Sequence, residues 1–527
     1  NMDMFQLVSW IDNTWTNGRC DTYNMQTRKR VKNLLQSTKY VRQGIEHMAT
    51  AELMSQYDAD NRGRLYHMAC AGANPQASDE ERSYYSLVDC GAGITKEHPS
   101  FQVFIDEVKD IGGGFAGLAA AKGLEDKELQ VVLIDKHNYH TFQPLLYQVA
   151  TGGLEPDSIA FPLRKRFNDV ENFFFRLAEV QKINPDKNAI ETSIGNLDYD
   201  ELIIATGSTT NFFGNTNIQK NTMEMKSVPQ SLNIRSLILE NFEEALLTDN
   251  IEERNALMNF VIVGGGPTGV ELAGALAEMK KGILPKDYPD LDIRQMQINL
   301  IQSSECLLKG MSPKASEKAE DFLIKLGVNV WKNLRVLDYD GHLVKTNGED
   351  NFRAETVIWA AGVKGKTIDG LNAECIIERA ARIKVNEFNQ VENHLNIYAI
   401  GDVACMQSEE TPYGHPMMAQ PAIQQGKLVA KNILAKLSNK KIKAFVYNDK
   451  GSMATIGRNK AVVDLEKWKF QGVFAWFVWM FVHLFSLIGF RNKAIVFLNW
   501  VYNYIRFDRE TRLIIRPYKA KNKQINS

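Results

Sequence analysis

No two of the six cysteines stand close together: Cys20, Cys70, Cys90, Cys306, Cys375 and Cys405 include no Cys-x-x-Cys pair. That excludes a redox-active dithiol of that spacing and any compact zinc or iron–sulfur signature, so no metal is expected. Isolated reduced thiols in a reducing compartment are what remains. An excess of one charge is also lacking. Sixty-two Lys and Arg against 63 Asp and Glu leave a net charge of -1, so no global field favours nucleic acid or a strongly acidic partner. The N-terminus has no basic start followed by an apolar stretch, so a secretory signal is not expected. Long apolar runs are absent until Val473.

What is present begins late. Residues 1–100 are polar and mixed, without clear periodicity or motif, and are left as an unassigned extension. From Phe101 short β-rich apolar segments alternate with Gly-rich turns and Ala-rich helical stretches, the signature of βαβ units on a parallel sheet. The length of the chain allows roughly two to four domains. Two openings resemble each other, Ile111-Gly-Gly-Gly-Phe-Ala-Gly117 and Phe260-Val-Ile-Val-Gly-Gly-Gly-Pro-Thr-Gly269. In each, Gly112 or Gly264 permits the tight turn out of a strand. Gly114 or Gly266 lets backbone N–H groups approach a pyrophosphate, and Gly117 or Gly269 lets the next helix pack on the sheet. The pair predicts an α/β chain with two Rossmann-like dinucleotide-binding domains.

Each opening should be followed by a strand that ends in a group for the adenosine ribose. Leu129–Asp135 ends in a carboxylate about twenty residues past the first loop. Ile298–Gln302 ends in an amide, which can bond a ribose hydroxyl yet does not repel a 2′-phosphate, so NADPH is expected to be tolerated beside NADH. The first strand carries a flaw. Lys109 and Asp110 stand where parallel strands are almost purely apolar. Either that strand is distorted or the sequence before Ile111 is foreign to the fold; the cleaner run Phe101–Ile105 ends well before Gly112.

From Ile111 to about Arg516 the chain resembles the type II NADH dehydrogenases, single-subunit NADH:quinone oxidoreductases that do not pump protons. The segments that carry the resemblance are Asp135-Lys-His-Asn-Tyr-His-Thr-Phe-Gln-Pro-Leu-Leu-Tyr-Gln-Val-Ala-Thr-Gly152, Leu202-Ile-Ile-Ala-Thr-Gly207, Val357-Ile-Trp-Ala-Ala-Gly362, Ile397-Tyr-Ala-Ile-Gly-Asp-Val403 and Ala419-Gln-Pro-Ala-Ile-Gln424. The resemblance implies FAD on the first unit, at Gly112, Gly114, Gly117, Asp135, Lys136, Ala205, Thr206, Gly207, Gly401 and Asp402. It implies NADH on the second, at Gly264, Gly266, Gly269, Gln302, Ala361 and Gly362. Gln420 and Gln424, four apart on one helix face, match the family's quinone motif. Glu271, in the first turn of a helix whose dipole favours it, is implied near the junction of nicotinamide and flavin, to position the nicotinamide or handle a proton. Lys450 is implied near the flavin and the quinone tunnel. The expected layout is 101–225 for the first part of the FAD domain, 226–365 for the NAD(P)H domain and 366–440 for the second FAD part. Residues 441–516 would form a membrane-association domain, and 517–527 a basic tail.

Val473–Phe490 holds 18 residues without a formal charge, just the lower limit for a span. Trp476, Trp479, Trp500, Tyr502 and Tyr504 are residue types that settle at bilayer interfaces. Arg491 and Lys493 then break the run, and Ala494–Ile505 is too short to cross. Two interfacial helices over 473–516, with basic residues reaching anionic headgroups, fit best; a buried oligomer interface, as in a homodimer, and a true crossing are the alternatives. A quinone dissolved in the bilayer gives such an anchor its purpose, and the expected place is peripheral, on the cytoplasmic face of a bacterial inner membrane. Three rivals share features. A sulfide:quinone oxidoreductase needs cysteines near the flavin, with Cys375 and Cys405 as candidates. A ferredoxin-type reductase would lack the apolar end and the glutamine pair. An inactive membrane-associated binding protein would account for the flawed first strand.

Overall fold

The computed structural model describes residues 106–515, except Arg379, Phe507, Asp508 and Glu510. The extension 1–100, the run Phe101–Ile105 and the tail 517–527 lie outside the described residues. The first βαβ unit supplies β1 (Asp106–Ile111), α1 (Phe115–Gly123), β2 (Leu129–Asp135), α2 (Leu146–Ala150), β3 (Phe173–Leu177) and β4 (Glu201–Ile204). The second supplies β5 (Met223–Glu224), α3 (Val228–Leu247), β6 (Asn259–Val263), α4 (Pro267–Gly282), β7 (Gln297–Ile301), β8 (Asn329–Trp331) and β9 (Thr356–Trp359). The chain then returns through β10 (Ile397–Ala399) and α5 (Ala419–Leu437). It closes with β11 (Ser452–Gly457), β12 (Lys460–Asp464), β13 (Lys469–Gln471), α6 (Val473–Ser486) and α7 (Phe490–Arg506).

Two five-stranded parallel sheets result, ordered β10-β4-β1-β2-β3 and β5-β9-β6-β7-β8. The order is the same around each Gly-rich loop, with the loop leaving the central strand, β1 or β6. Parallel strands covered on both faces need unbroken apolar runs, and β2 is buried at every position but its last. The flaw in β1 does not bend the strand, which pairs in continuous register with β2, from Asp106 opposite Leu129 to Ile111 opposite Ile134. Its apolar neighbours hold the register, so Lys109 and Asp110 are carried into the interior, 4% and 0% exposed.

Small residues set the next layer. A Cβ on Gly426 would sit 2.3 Å from the Ala116 carbonyl oxygen, and one on Gly123 would sit 2.5 Å from Ala430 Cβ. Without them α5 lies close against α1, which brings the N-terminal turns of both helices to one place. Likewise a Cβ on Gly274 would sit 2.6 Å from Ile456 O, so the glycine lets α4 seat on β11. The antiparallel sheet β11-β12-β13 supports α6. Asn492 of α7 donates to the carbonyls of Asp157 and Ala160 at 3.1 Å, which ties that helix to the first unit.

Candidate active site

The two phosphate loops are built alike. Gly112 and Gly264 turn with φ +119° and +115°, and a side chain on either would strike the carbonyl of Ala205 or Ala360 from the neighbouring strand end. A Cβ on Gly117 or Gly269 would sit 2.0 or 1.9 Å from the carbonyl oxygen of Gly112 or Gly264. Gly114 and Gly266 cap α1 and α4, and there an added Cβ would meet nothing. So each loop leaves open space in front of a helix N-terminus, whose first N–H groups have no partner in the helix. That is a fit for a pyrophosphate at both loops.

The strand-end residues brace these loops. Asp135 Oδ2 accepts from Gly113 N at 2.6 Å, and Gln302 Oε1 accepts from Gly265 N at 3.0 Å. The Gln302 amide nitrogen also donates to Ser304 Oγ and Cys306 O. Lys136 is exposed and faces Lys366. Thr206 Oγ1 donates to the Lys366 carbonyl, Gly207 turns with φ +72°, and Ala361 and Gly362 (φ +84°) form the matching turn of the second unit. Asp110 lies beneath the first loop, within about 3 Å of a Cβ built at Gly117, and neither carboxyl oxygen has a partner among the described residues. Burial, with Asp135 second, pushes its pKa well above the usual carboxylate range.

The returning strand adds Gly401 and Asp402. Gly401 N donates to Gln425 Oε1 of α5 at 2.8 Å. Asp402 Oδ2 accepts from Ser208 Oγ at 2.6 Å, and Lys226 Nζ donates to that hydroxyl at 3.0 Å. No motif in the sequence singles out Lys226; it reaches this point from the crossover between the two sheets.

Gln420 and Gln424 do share one face of α5, and that face is turned to the segment before β11. Gln420 donates to Gly451 O at 2.9 Å and accepts from Lys450 N at 3.2 Å. Gln424 does the same with Asn448 O and Asn448 N, at 2.9 and 3.0 Å. Each amide keeps one further N–H and one lone pair for a ligand. The Lys450 side chain is exposed. Replacing both glutamines with Ala is expected to lower the melting temperature, because the 448–451 backbone loses four partners at about 1 kcal/mol each at most. An unchanged Tm for the double variant in a thermal melt would contradict that clamp.

Glu271 lies elsewhere, in the second turn of α4 and not in its first as the sequence suggests, because the helix begins at Pro267; it lines a cleft open on one side. Glu271, Ala275 and Glu278 line it from one face of α4, Trp476, Trp479 and Met480 from α6, and Trp500, Asn503 and Tyr504 from α7. Tyr147 and Gln148 of α2, Thr455 and Gly457 of β11, Arg458 and Arg509 line it as well. The i, i+4, i+7 spacing of the α4 residues is legible in the sequence; the residues they meet are not. Glu271 Oε1 accepts from Thr455 N of β11 at 3.4 Å. Burial raises its pKa to about 8, opposed by Thr455 N–H and by the indole of Trp479, which lies nearby without a well-formed hydrogen bond. At the mouth Arg509 pairs with Glu278 at 3.0 Å, and Arg512 with Asp287 at 2.6 Å. Both arginines fall within 473–516, where basic residues are expected to reach headgroups. They turn inward because acidic partners on and beside α4 neutralise them. Gln420, Gln424 and Lys450 do not line this cleft. Cys375 and Cys405 are buried away from it and donate to different carbonyls, of Glu392 and Tyr413. Among the described residues no group of His, Cys, Asp and Glu is placed to hold a metal.

Paired dinucleotide loops on repeated sheets, with a returning Gly-Asp turn, define the pyridine nucleotide-disulphide oxidoreductase class, whose family profile matches residues 110–426. A second profile, the NDH2 C-terminal domain, matches residues 450–509. The chain is 34% identical over 424 residues to the type II NADH:quinone oxidoreductase Ndh of Mycobacterium tuberculosis, covering 78% of this chain and 90% of that one. The solved structure of NDH2 from Plasmodium falciparum in complex with NADH is similar in fold, with TM-score 0.72, 23% identity, and coverage of 78% of this chain and 100% of that chain. A sulfide:quinone oxidoreductase from Aquifex aeolicus shares the fold at TM-score 0.60 and 21% identity. The chain belongs to the type II NADH:quinone oxidoreductase family.

Proposed function

We propose that this chain is an FAD-dependent NADH:quinone oxidoreductase working at the surface of a respiratory membrane. The observation that carries the reading is the cleft. It runs from Glu271, on the helix that opens the second dinucleotide fold, to aromatic residues of α6 and α7, the two helices with the largest exposed apolar face. Phe474, Phe477, Phe481 and Phe485, spaced three and four apart on α6, are between 53% and 65% exposed, while Ala475 and Trp479 on the opposite side are buried. A helix apolar on both sides fits a protein core on one side and a bilayer on the other. Among the described residues no helix is long and apolar enough to cross a membrane. The 14 residues of α6 reach about 21 Å against a hydrocarbon core of about 30 Å. An interfacial seat, peripheral to the cytoplasmic face of a bacterial inner membrane, is the reading we adopt.

When bound, the flavin would supply the two-electron chemistry that links NADH to a quinone. The chain supplies the rest. Gly114 and α1 would hold the pyrophosphate of FAD, with Asp135 at its ribose and Asp402 at the ribityl chain. Gly266 and α4 would hold that of NADH, with Gln302, Ala361 and Gly362 around its adenosine. Gln302 places no negative charge there, so NADPH is accepted as well. Burial lets Glu271 keep a proton at its carboxyl, and the cleft admits the quinone from the bilayer side.

Anaerobic mixing tests this directly. Purified in detergent, the protein is expected to carry flavin that NADH bleaches and a quinone restores. Bound flavin that NADH leaves oxidised would remove the donor from this reading and make sulfide the next one to try.

A further inference from the structure

The cleft contains a hydrogen-bond chain whose direction is fixed at one end. Trp500 Nε1 of α7 lies 2.8 Å from Gln148 Oε1, and Gln148 Nε2 lies 2.8 Å from the Tyr147 hydroxyl. An indole N–H can only donate. Gln148 must therefore present its carbonyl oxygen to Trp500 and its amide nitrogen to Tyr147, which settles the orientation of an otherwise ambiguous amide. The Tyr147 oxygen is thus the acceptor, and its own hydrogen is left for another acceptor. The amide is the only partner of that hydroxyl among the described residues.

The carboxylates in the cleft do not take the hydrogen. Glu278 is engaged by Arg509 at 3.0 Å and by the backbone N–H of Arg458. Glu271 is bonded to Thr455 N. Tyr147 is 6% exposed and lines the cleft. Burial first, then the nearby Glu271, push its pKa well above that of a free phenol, so the O–H stays protonated throughout the working range.

We propose that Tyr147 donates a hydrogen bond to a carbonyl oxygen of the quinone in this cleft, its hydroxyl aimed by Gln148 and, through it, by Trp500. This rests on the reading of the cleft as the quinone site. No proton leaves Tyr147; it polarises and orients the carbonyl. Tyr147 is the contacting group, and Gln148 and Trp500 are positioning residues. Because α7 also carries Leu498, Val501 and Ile505 on its exposed side, the seating of that helix sets the polarity of a donor deep in the cleft.

The chain of donors makes a test that a packing role would not pass. The full-length holoenzyme is reduced with NADH in a stopped-flow cell, then mixed with decylubiquinone or with ferricyanide, which has no carbonyl to orient. Tyr147→Phe is expected to bleach at the wild-type rate, to be reoxidised by ferricyanide normally, and to be reoxidised by decylubiquinone about tenfold more slowly, the loss of one neutral hydrogen bond. Gln148→Glu keeps an acceptor for Trp500 and turns the group facing Tyr147 from donor to acceptor. The tyrosine hydrogen then points at the new carboxylate and no longer at the ligand, so this variant is expected to match Tyr147→Phe although the phenol is intact. Wild-type decylubiquinone rates in both variants would overturn the proposal, and a normal rate in Gln148→Glu alone would overturn the aiming by Gln148. If the wild-type protein itself is reoxidised by ferricyanide and not by decylubiquinone, the quinone reading falls and takes this one with it, a result distinct from either.

Discussion

Gly269→Ala is expected to leave the protein yellow and nearly unable to use NADH, whereas Gly117→Ala is expected to leave it colourless. Both follow from one distance in each loop. A Cβ at position 269 would lie 1.9 Å from the carbonyl oxygen of Gly264, and a Cβ at 117 would lie 2.0 Å from that of Gly112. These are backbone atoms at the turn itself, so relief requires the loop or the helix to move by roughly the overlap, over about 1 Å. A displacement of that size in a positioning element lowers rates about a hundredfold. The second loop is not needed to bind flavin, so Gly269→Ala should purify with a full flavin complement that dithionite still bleaches, and its KM for NADH should rise by about that factor. Gly117→Ala adds a second clash, 2.8 Å from Asp110 Oδ1, and should lose the visible flavin absorbance. Full flavin content in Gly117→Ala together with an unchanged KM in Gly269→Ala would mean that the two loops are not the dinucleotide sites.

These loops are legible in the sequence because their chemistry is local. Glycine spacing, a following Ala-rich helix and a strand-end acid all fall within one βαβ unit, and the structure reproduces them twice with the same strand order. Asp110 is visible as an anomaly, yet whether it bends the strand or is buried depends on the apolar neighbours β2 and β4, which lie elsewhere in the chain. The glutamine pair shows the limit more clearly. Spacing of four puts Gln420 and Gln424 on one face, and it does not say what that face meets; the partner is the backbone of residues 448–451. The cleft is the least legible. It gathers side chains from α2, α4, α6 and α7 and from Arg509, and no periodicity links segments so far apart in the chain. Trp479 and Trp500 read as interface anchors, and the structure shows both largely buried, with Trp500 bonded to Gln148.

Glu271→Gln is expected to change both the pH profile and the stability curve, and the two changes have a common cause. Burial raises the Glu271 pKa to about 8 from 4.5, so the native protein holds this proton where the unfolded chain releases it. The sign follows from linkage: a carboxyl that binds its proton more tightly when folded makes the protein less stable as pH rises between those two values. Over that interval the loss reaches about 5 kcal/mol as an upper bound for a fully buried group. The glutamine cannot ionise and escapes it. The melting temperature of the wild type should therefore fall more steeply from about pH 5 to about pH 8 than that of Glu271→Gln, with the variant the more stable at the alkaline end. Activity should separate the two in the opposite direction. With Glu271 as the group that hands a proton to the reduced quinone, wild-type reoxidation by quinone should decline above about pH 8, as the carboxyl ionises. The variant should be slower by about a hundredfold or more and show no such limb. Stopped-flow reoxidation from about pH 6 to about pH 9, run beside thermal melts in the same buffers, reads both. A wild-type profile flat through pH 8 with a Glu271→Gln variant of equal speed would leave the carboxyl a purely structural group in the second turn of α4.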